Sequence, residues 1–304
     1  MTARLKNMTL RQLQAFATTI KTGSLTAAAQ RLGVTQPAIS LQLKNLQELA
    51  TMPIFQRTPD GFIATDAGHN LMALHERISH AVSDCIASLE TIKGATGGRV
   101  SVGAVSTSKY FVPAVMGAFS RANPGIELQL KIGNRLEIMA ALRDFSLDIA
   151  ITGRPLEDID LEKRRIGPHP HVIIAAPNHV LRGHPDLKLV DLAAEIFIMR
   201  EPGSGTRLLM ERFFEDSQVA ARIGMELDSN ETIKQAVMAG LGIAFISGHT
   251  VATEILEGRL VAFDVVGLPL MRDWFVVRRA DRHVLPPAAR LMDFLSHESA
   301  AFLP

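Results

Sequence analysis

Residues 24–46 read SLTAAAQRLGVTQPAISLQLKNL, and the two short helical patterns in them, joined at Gly33, decide the fold of the N-terminal part. The first starts at Ser24, a favoured N-cap residue, and runs through Ala27, Ala28, Ala29 and Leu32, a face of small side chains that lets a second helix cross closely. Gly33 stands where a helix closes in the left-handed conformation, Val34 plugs the corner, and Thr35 caps a new helix with Pro37 in its first turn. The spacing predicts helix, tight turn, helix. In the second helix Ile39, Leu43, Leu46 and Ala50 recur at three- and four-residue intervals and form the buried side. Gln36, Pro37, Ser40, Leu41 and Lys44 are left on the other. That outer face lacks the Glu and Lys pairs of a solvated helix: Gln and Ser match base edges, Leu41 a thymine methyl and Lys44 a phosphate. An ordinary amphipathic helix pair is the alternative these residues leave open.

The next residues extend the pattern. Pro53 to Arg57 and Phe62 to Thr65 are short strand signals around Pro59-Asp60-Gly61, a hairpin, and a hairpin after a groove-reading helix makes a wing. Residues 1–65 carry seven Lys or Arg, namely Arg4, Lys6, Arg11, Lys21, Arg31, Lys44 and Arg57, against Glu48 and Asp60, a balance of +5. The whole chain stands at +1, so the remainder is −4 by subtraction. A basic head on a mildly acidic body is the footprint of a module that meets phosphate while the rest does something else.

With 304 residues, 47% hydrophobic and 21% charged, the chain has enough for two or three globular cores of roughly 100–200 residues each. No apolar run approaches the ~18 residues of a membrane span and the N-terminus has no signal-peptide core, so a cytoplasmic protein is expected. The single cysteine, Cys85, excludes an internal disulfide and a cysteine-cluster metal site.

From Asp66 to Lys93, Leu71, Leu74, Ile78, Ala81 or Val82, Cys85, Leu89 and Ile92 recur every three or four residues, predicting one helix about 40 Å long. So thin a stripe needs a cover. A second copy of the chain is the expected one, making this a dimerisation helix with Cys85 packed in the seam; the C-terminal body is the alternative. Gly94-Ala95-Thr96-Gly97-Gly98 then reads as a hinge.

Beyond it strands and helices alternate: strand Arg99 to Val105, helix Tyr110 to Ala122, strand Ile126 to Ile132, helix Arg135 to Arg143, strand Leu147 to Thr152. A second series follows: Val172 to Ala176, Ile196 to Arg200, helix Gly205 to Phe214, Ile223 to Asp228, helix Glu231 to Ala239, strand Ile243 to Ile246. Trp274 to Arg278 and helix Pro286 to Phe302 close the chain. Two such series predict an α/β body of two lobes with a ligand cleft at the carboxyl ends of strands. The expected division is a winged helix-turn-helix at 8–65, a linker helix at 66–93 and an effector domain at 94–304, with lobe I at 99–168 and 269–304 and lobe II at 169–268.

Two loops occupy such strand ends. Ser106-Thr107-Ser108 follows the first strand and opens a helix. Residues 200–207, REPGSGTR, do the same in lobe II, with two glycines that let the backbone approach an anion and two arginines able to grip it by paired hydrogen bonds. Arg154, Glu231 with its neighbours Ser229 and Asn230, and Ser247 lie at other strand ends. The candidate effector contacts are therefore Ser106, Thr107, Ser108, Arg154, Arg200, Glu201, Gly203, Ser204, Gly205, Thr206, Arg207, Glu231 and Ser247. A turn with surface arginines is the plainer alternative. The GxxxxGK[ST] loop of nucleotide hydrolysis and the GxSxG elbow are absent, and His169, His171, His179 and His184 are not spaced as metal ligands, so neither an enzyme nor a metal site is expected.

Leu10, Leu13, Phe16, Ser24, Ala27, Ala28, Leu32, Gln36, Pro37, Ser40, Leu46, Pro53, Phe55, Arg57, Thr65, Ala67 and Gly68 resemble the signature of the LysR-type transcriptional regulators. The remainder is similar to that family's linker helix and two-lobed, periplasmic-binding-protein-like effector domain. The resemblance implies a homotetramer assembled as a dimer of dimers on an interrupted palindrome of double-stranded DNA, with RNA polymerase as a further partner and a small-molecule effector in the cleft. It places recognition-helix and wing roles on Thr35, Gln36, Pro37, Ser40, Lys44 and Arg57; Arg31 and Leu41 join them as candidate DNA contacts. Gln47, Ala50-Thr51 and Ala64 depart from the pattern at the helix-to-wing corner. Residues 166–172, IGPHPHV, with the 200–207 loop, are similar to regulators of Calvin-cycle carbon-fixation operons. That implies an activator answering to a phosphorylated metabolite such as ribulose 1,5-bisphosphate or phosphoenolpyruvate, or to NADPH. A LysR-type regulator sensing a small carboxylate is the second reading; a solute-binding protein or enzyme with an accessory helical head is the third.

Overall fold

Residues 5–92, 97–155 and 157–304 are described by the computed structural model, which forms two compact units, Met1–Ile86 and Ala87–Pro304. In the first, helix α1 (Leu10–Thr22) starts with a capping box between Thr9 and Gln12 and ends at Gly23, whose φ of 68° is left-handed. Helix α2 (Leu25–Leu32) is capped by the Ser24 hydroxyl, which accepts from the Ala27 amide, and closes at Gly33 with φ 64°. Helix α3 (Gln36–Ala50) buries Ile39, Leu43, Leu46 and Ala50. Its terminating residue is Thr51, a β-branched residue at φ 57°. Strands β1 (Phe55–Thr58) and β2 (Gly61–Ala64) pair antiparallel as a hairpin. Gly61 sits tight against α1: a side chain there would come within 2.4 Å of the Gly23 carbonyl oxygen.

Helix α4 (Asp66–Ile92) follows. The cover expected for its whole apolar stripe divides. Leu71, Leu74 and Ile78 pack into the core of the first unit with Leu13, Phe16, Ile39 and Leu46, whereas Val82, Cys85, Ile86 and Leu89 are exposed in the single chain. Lys93 and residues 94–96 of the expected hinge lie outside the described residues. Gly98 already opens a strand.

The second unit has two lobes joined by crossing strands, the first around one hydrophobic core and the second around two. Parallel strands β3 (Gly98–Val105), β4 (Ile126–Gly133) and β5 (Ile149–Thr152), with α5 (Val112–Ala122) and α6 (Arg135–Arg143), build the first. Strand β6 (Leu161–Ala175) then runs fifteen residues into the second. There β7 (Ile196–Arg200), α7 (Gly205–Asp216), β8 (Arg222–Leu227), α8 (Asn230–Met238), β9 (Ala244–Ser247), the short α9 (Ala252–Leu256) and β10 (Val261–Ala262) follow. Strand β11 (Leu270–Arg279) returns antiparallel along β6, pairs with β5, and leads into α10 (Pro286–Glu298) on the first lobe.

The first ten residues of β6 carry Pro168 and Pro170 and do not read as a strand. They form one because, among the described residues, 161–170 pair with β11 alone, and a proline is tolerated on a side that has no partner. Helix α5 starts at Val112, with a 3-10 turn at Ser106–Tyr110 before it. The closing helix likewise ends at Glu298 in a 3-10 turn rather than running to Phe302.

Candidate functional site

The outer face of α3 is the candidate DNA surface. Arg31, Thr35, Gln36, Pro37, Leu41, Lys44 and Arg57 are exposed and Ser40 is half-buried. Thr35 has N-cap backbone geometry, but its hydroxyl makes no cap bond, which corrects the expectation that it caps the helix. The cap would need an N–H at the second or third helical position, and Pro37 removes the former. The Gln36 amide donates to Ser40 Oγ at 3.3 Å, so the two hydrogen-bonding side chains hold each other at the start of the helix. Lys44 lies 3.9 Å from Glu48, an exposed pair worth less than about 1 kcal/mol that leaves the ammonium available to a phosphate. Arg57 stacks above the wing's Phe62, 5.9 Å from the ring centroid.

The second unit holds a cavity of about 630 Å³ between its two lobes, lined by six arginines, Arg135, Arg154, Arg165, Arg200, Arg212 and Arg272, against Glu157 and Asp273. Three chain starts point at it: Ser106 and Thr107, Asn134 and Arg135 at the head of α6, and Ser204, Gly205 and Thr206 at the head of α7. Asn134 and Glu137 cap α6 reciprocally. Ser204, by contrast, makes no side-chain cap bond, so the first-turn amides and positive dipole end of α7 are left for an anion. Gly205 lets Arg135 pass close: a Cβ there would lie 3.4 Å from Arg135 Cδ. Arg135 Nε donates to the Arg154 carbonyl at 3.0 Å. Burial holds the Arg135 guanidinium below its ordinary range, and the positive charges of Arg154 and Arg212 add to that. An anion placed among the three would reverse the strain.

Arg200 is buried at the cavity wall and uses four of its five N–H donors within the protein. It donates two hydrogen bonds to the Glu201 carboxylate at 2.7 and 2.9 Å, one to Asn230 Oδ1 at 2.5 Å and one to Ser106 Oγ at 3.1 Å. It therefore fixes the Ser106 loop against β7 and shapes the wall. Arg207 faces away from the cavity, because two residues on from Gly205 a helix has turned by about 200°. Its guanidinium is held by Glu211 at 2.8 Å, by Glu226, and by the Arg200 carbonyl at 3.1 Å.

Five more of the expected contacts also stand off the lining. Glu201 is tied to Arg200, and Gly203 gives its carbonyl to the Leu136 amide at 3.2 Å. Ser108 is buried with its hydroxyl on the Val105 carbonyl. Glu231 is taken by Tyr110 and by Lys234 at 3.0 Å. Ser247 is buried 2.9 Å from His169 Nε2.

Further residues line the cavity beyond the candidate effector contacts, among them two histidines weighed above only as metal ligands. Arg135 obeys the same strand-end rule as Arg154, and Arg212 lies on the Gly205–Leu209 face of α7, so both carried a legible signal. Arg165, His169, His171, Arg272 and Asp273 come from the crossing strands, whose pairing is long-range. His169 and His171 are buried in a row of rings, His169 on Trp274 at 3.7 Å and His171 on Phe245 at 5.6 Å between centroids. Burial pushes His169 well below the imidazole range and His171 down to about 4. Among the described residues no group of His, Cys, Asp and Glu is arranged to hold a metal ion, and no helix is long and apolar enough to cross a membrane.

Comparison with known proteins agrees with both units. Residues 10–69 match the bacterial regulatory helix-turn-helix protein, lysR family, and residues 93–300 match the LysR substrate binding domain. The chain is 46% identical to the HTH-type transcriptional regulator CbbR of Xanthobacter flavus, over 97% of this chain and 90% of that one. It is 35% identical to the RuBisCO operon transcriptional regulator of Allochromatium vinosum, over 97% of each. Among solved structures, the Synechocystis PCC6803 CcmR regulatory domain in complex with 2-PG matches with a TM-score of 0.63 and 36% identity, covering 66% of this chain and 96% of that one. The chain belongs to the LysR family of DNA-binding transcriptional regulators, is not an enzyme, and within that family is similar to the CbbR-type regulators.

Proposed function

We propose that this regulator activates carbon-fixation operons in the cytoplasm and responds to a phosphorylated metabolite in the cleft of its effector unit. The observation that carries the effector class is the cavity itself, where Arg135, Arg154 and Arg212 converge on the uncapped head of α7. A phosphate dianion matches clustered guanidiniums and a helix N-terminus together. The 2-PG in the Synechocystis relative's regulatory domain supports the same class.

On this reading residues 8–65 read operator DNA through Arg31, Thr35, Gln36, Pro37, Ser40, Leu41, Lys44 and Arg57. Residues 66–93 pair two copies, and two such pairs make the tetramer. Effector contacts rest with Ser106, Thr107, Arg135, Arg154, Ser204, Gly205, Thr206 and Arg212.

The test is calorimetric titration of the full-length protein with ribulose 1,5-bisphosphate, phosphoenolpyruvate, 2-phosphoglycolate, NADPH and a panel of carboxylates, repeated with Arg154→Ala and Arg207→Ala. Binding of a phosphorylated ligand that Arg154→Ala weakens at least tenfold and Arg207→Ala leaves nearly unchanged is the expected result. Binding of carboxylates alone would overturn the effector class.

A further inference from the structure

Besides its arginines, the cavity is lined by two histidine rings with an unfilled hydrogen-bonding capacity. Strand β6 places His169 and His171 two residues apart, hence on one face, where the chain crosses between the two lobes. The rings lie 4.2 Å apart, with Trp274 of the first lobe beyond His169 and Phe245 of the second beyond His171. Both line the cavity. His169 is oriented by Ser247 Oγ on its Nε2 and is backed by Gly153, where a Cβ would come within 2.7 Å of its Nδ1.

The Nδ1 atoms of both histidines are buried and have no hydrogen-bond partner among the described residues. Buried polar atoms left unpaired are uncommon and unfavourable, and these two sit together at a ligand cavity. Burial and the nearby charge of Arg272 hold His171 in its uncharged form near neutral pH, so it offers a phosphate no counter-charge. An uncharged imidazole suits a hydroxyl, which both donates and accepts.

We propose that His169 and His171 form a second recognition element of the cleft, reading a hydroxyl on the effector's carbon chain while the arginines read its anionic group. Both Nδ1 atoms are out of solvent contact in this structure, so the reading works through a turn of the His171 ring about its soft χ2 torsion, with His169, held by Ser247, behind it. The proposal rests on the phosphometabolite reading and adds selection among phosphorylated acids: those with a free hydroxyl are favoured over those without.

The experiment compares 3-phosphoglycerate, which has one hydroxyl, with 2-phosphoglycolate, which has none, by calorimetry on full-length wild type, His171→Phe and His171→Asn. Phenylalanine keeps the stack on Phe245 without a nitrogen; asparagine returns a polar atom near the Nδ1 position. His171→Phe is expected to weaken 3-phosphoglycerate about tenfold, the loss of one hydrogen bond to a buried group, and 2-phosphoglycolate less than twofold, with His171→Asn recovering part of the ratio. Equal weakening of both ligands, or of neither, overturns the hydroxyl subsite while the arginine site stands. Failure of wild type to bind either ligand, with a carboxylate bound instead, removes the underlying reading and this proposal with it.

Discussion

Thr51 ends α3 at φ 57°, where a β-branched side chain crowds its own backbone and glycine does not. Its hydroxyl donates to the Ala50 carbonyl at 2.7 Å, which offsets part of that strain. Thr51→Gly should still stabilise the first unit by about 1 kcal/mol, raising its thermal midpoint by several degrees; an unchanged or lower midpoint would show that the hydroxyl bond outweighs the strain. His171 makes the opposite kind of prediction. Folding lowers its pKa from 6.5 to about 4 by burial, so between those values the unfolded chain binds a proton that the folded chain refuses. Stability is then complete above pH 6.5 and falls as the pH drops toward 4, by an amount of the order of 3 kcal/mol from this residue. Thermal unfolding at pH 7 and pH 5 should show a wild-type loss that His171→Phe reduces, and equal losses in both proteins would assign the acid sensitivity elsewhere.

On the proposed reading, α3 meets both phosphate and bases, through side chains that act differently. Lys44→Ala should weaken operator and random DNA alike and flatten the salt dependence of binding by about one unit of slope, measured by anisotropy at several salt concentrations. Gln36→Ala should instead weaken the operator by about 1–3 kcal/mol and leave random DNA nearly untouched. If both variants lost affinity for both DNAs equally, α3 would not be the base-reading helix. The same element was legible from its residues because its signals are local: Gly33 for the turn, Pro37 for the first turn, a four-residue apolar spacing for the buried side. Strand β6 was not, since Pro168 and Pro170 argue locally against a strand and only its pairing with β11 makes one. The cleft divides the same way. Arg154 follows from a strand end, whereas the inward turn of Arg212 and the outward turn of Arg207 are set by helix phase, and the ring stack of His169 and His171 depends on Trp274 and Phe245, distant in sequence.

On the proposed reading, the exposed half of α4 carries assembly. Leu71, Leu74 and Ile78 are covered by the first unit, and the stripe then continues into Val82, Ile86 and Leu89, which are 46%, 52% and 54% exposed. Three large apolar side chains along one exposed stretch of helix are an unfavourable surface for a monomer and a favourable one for a pair. A paired recognition helix also suits a palindrome, because two-fold protein symmetry sets the half-site spacing. Replacing Ile86 by Glu should therefore shift the protein toward monomer in sedimentation velocity. Operator affinity should fall far more than affinity for a single half-site, because the lost quantity is the linkage of two binding events, not a DNA contact. A variant that stays oligomeric and keeps full operator affinity would move the dimer interface off α4 and onto another surface of the chain.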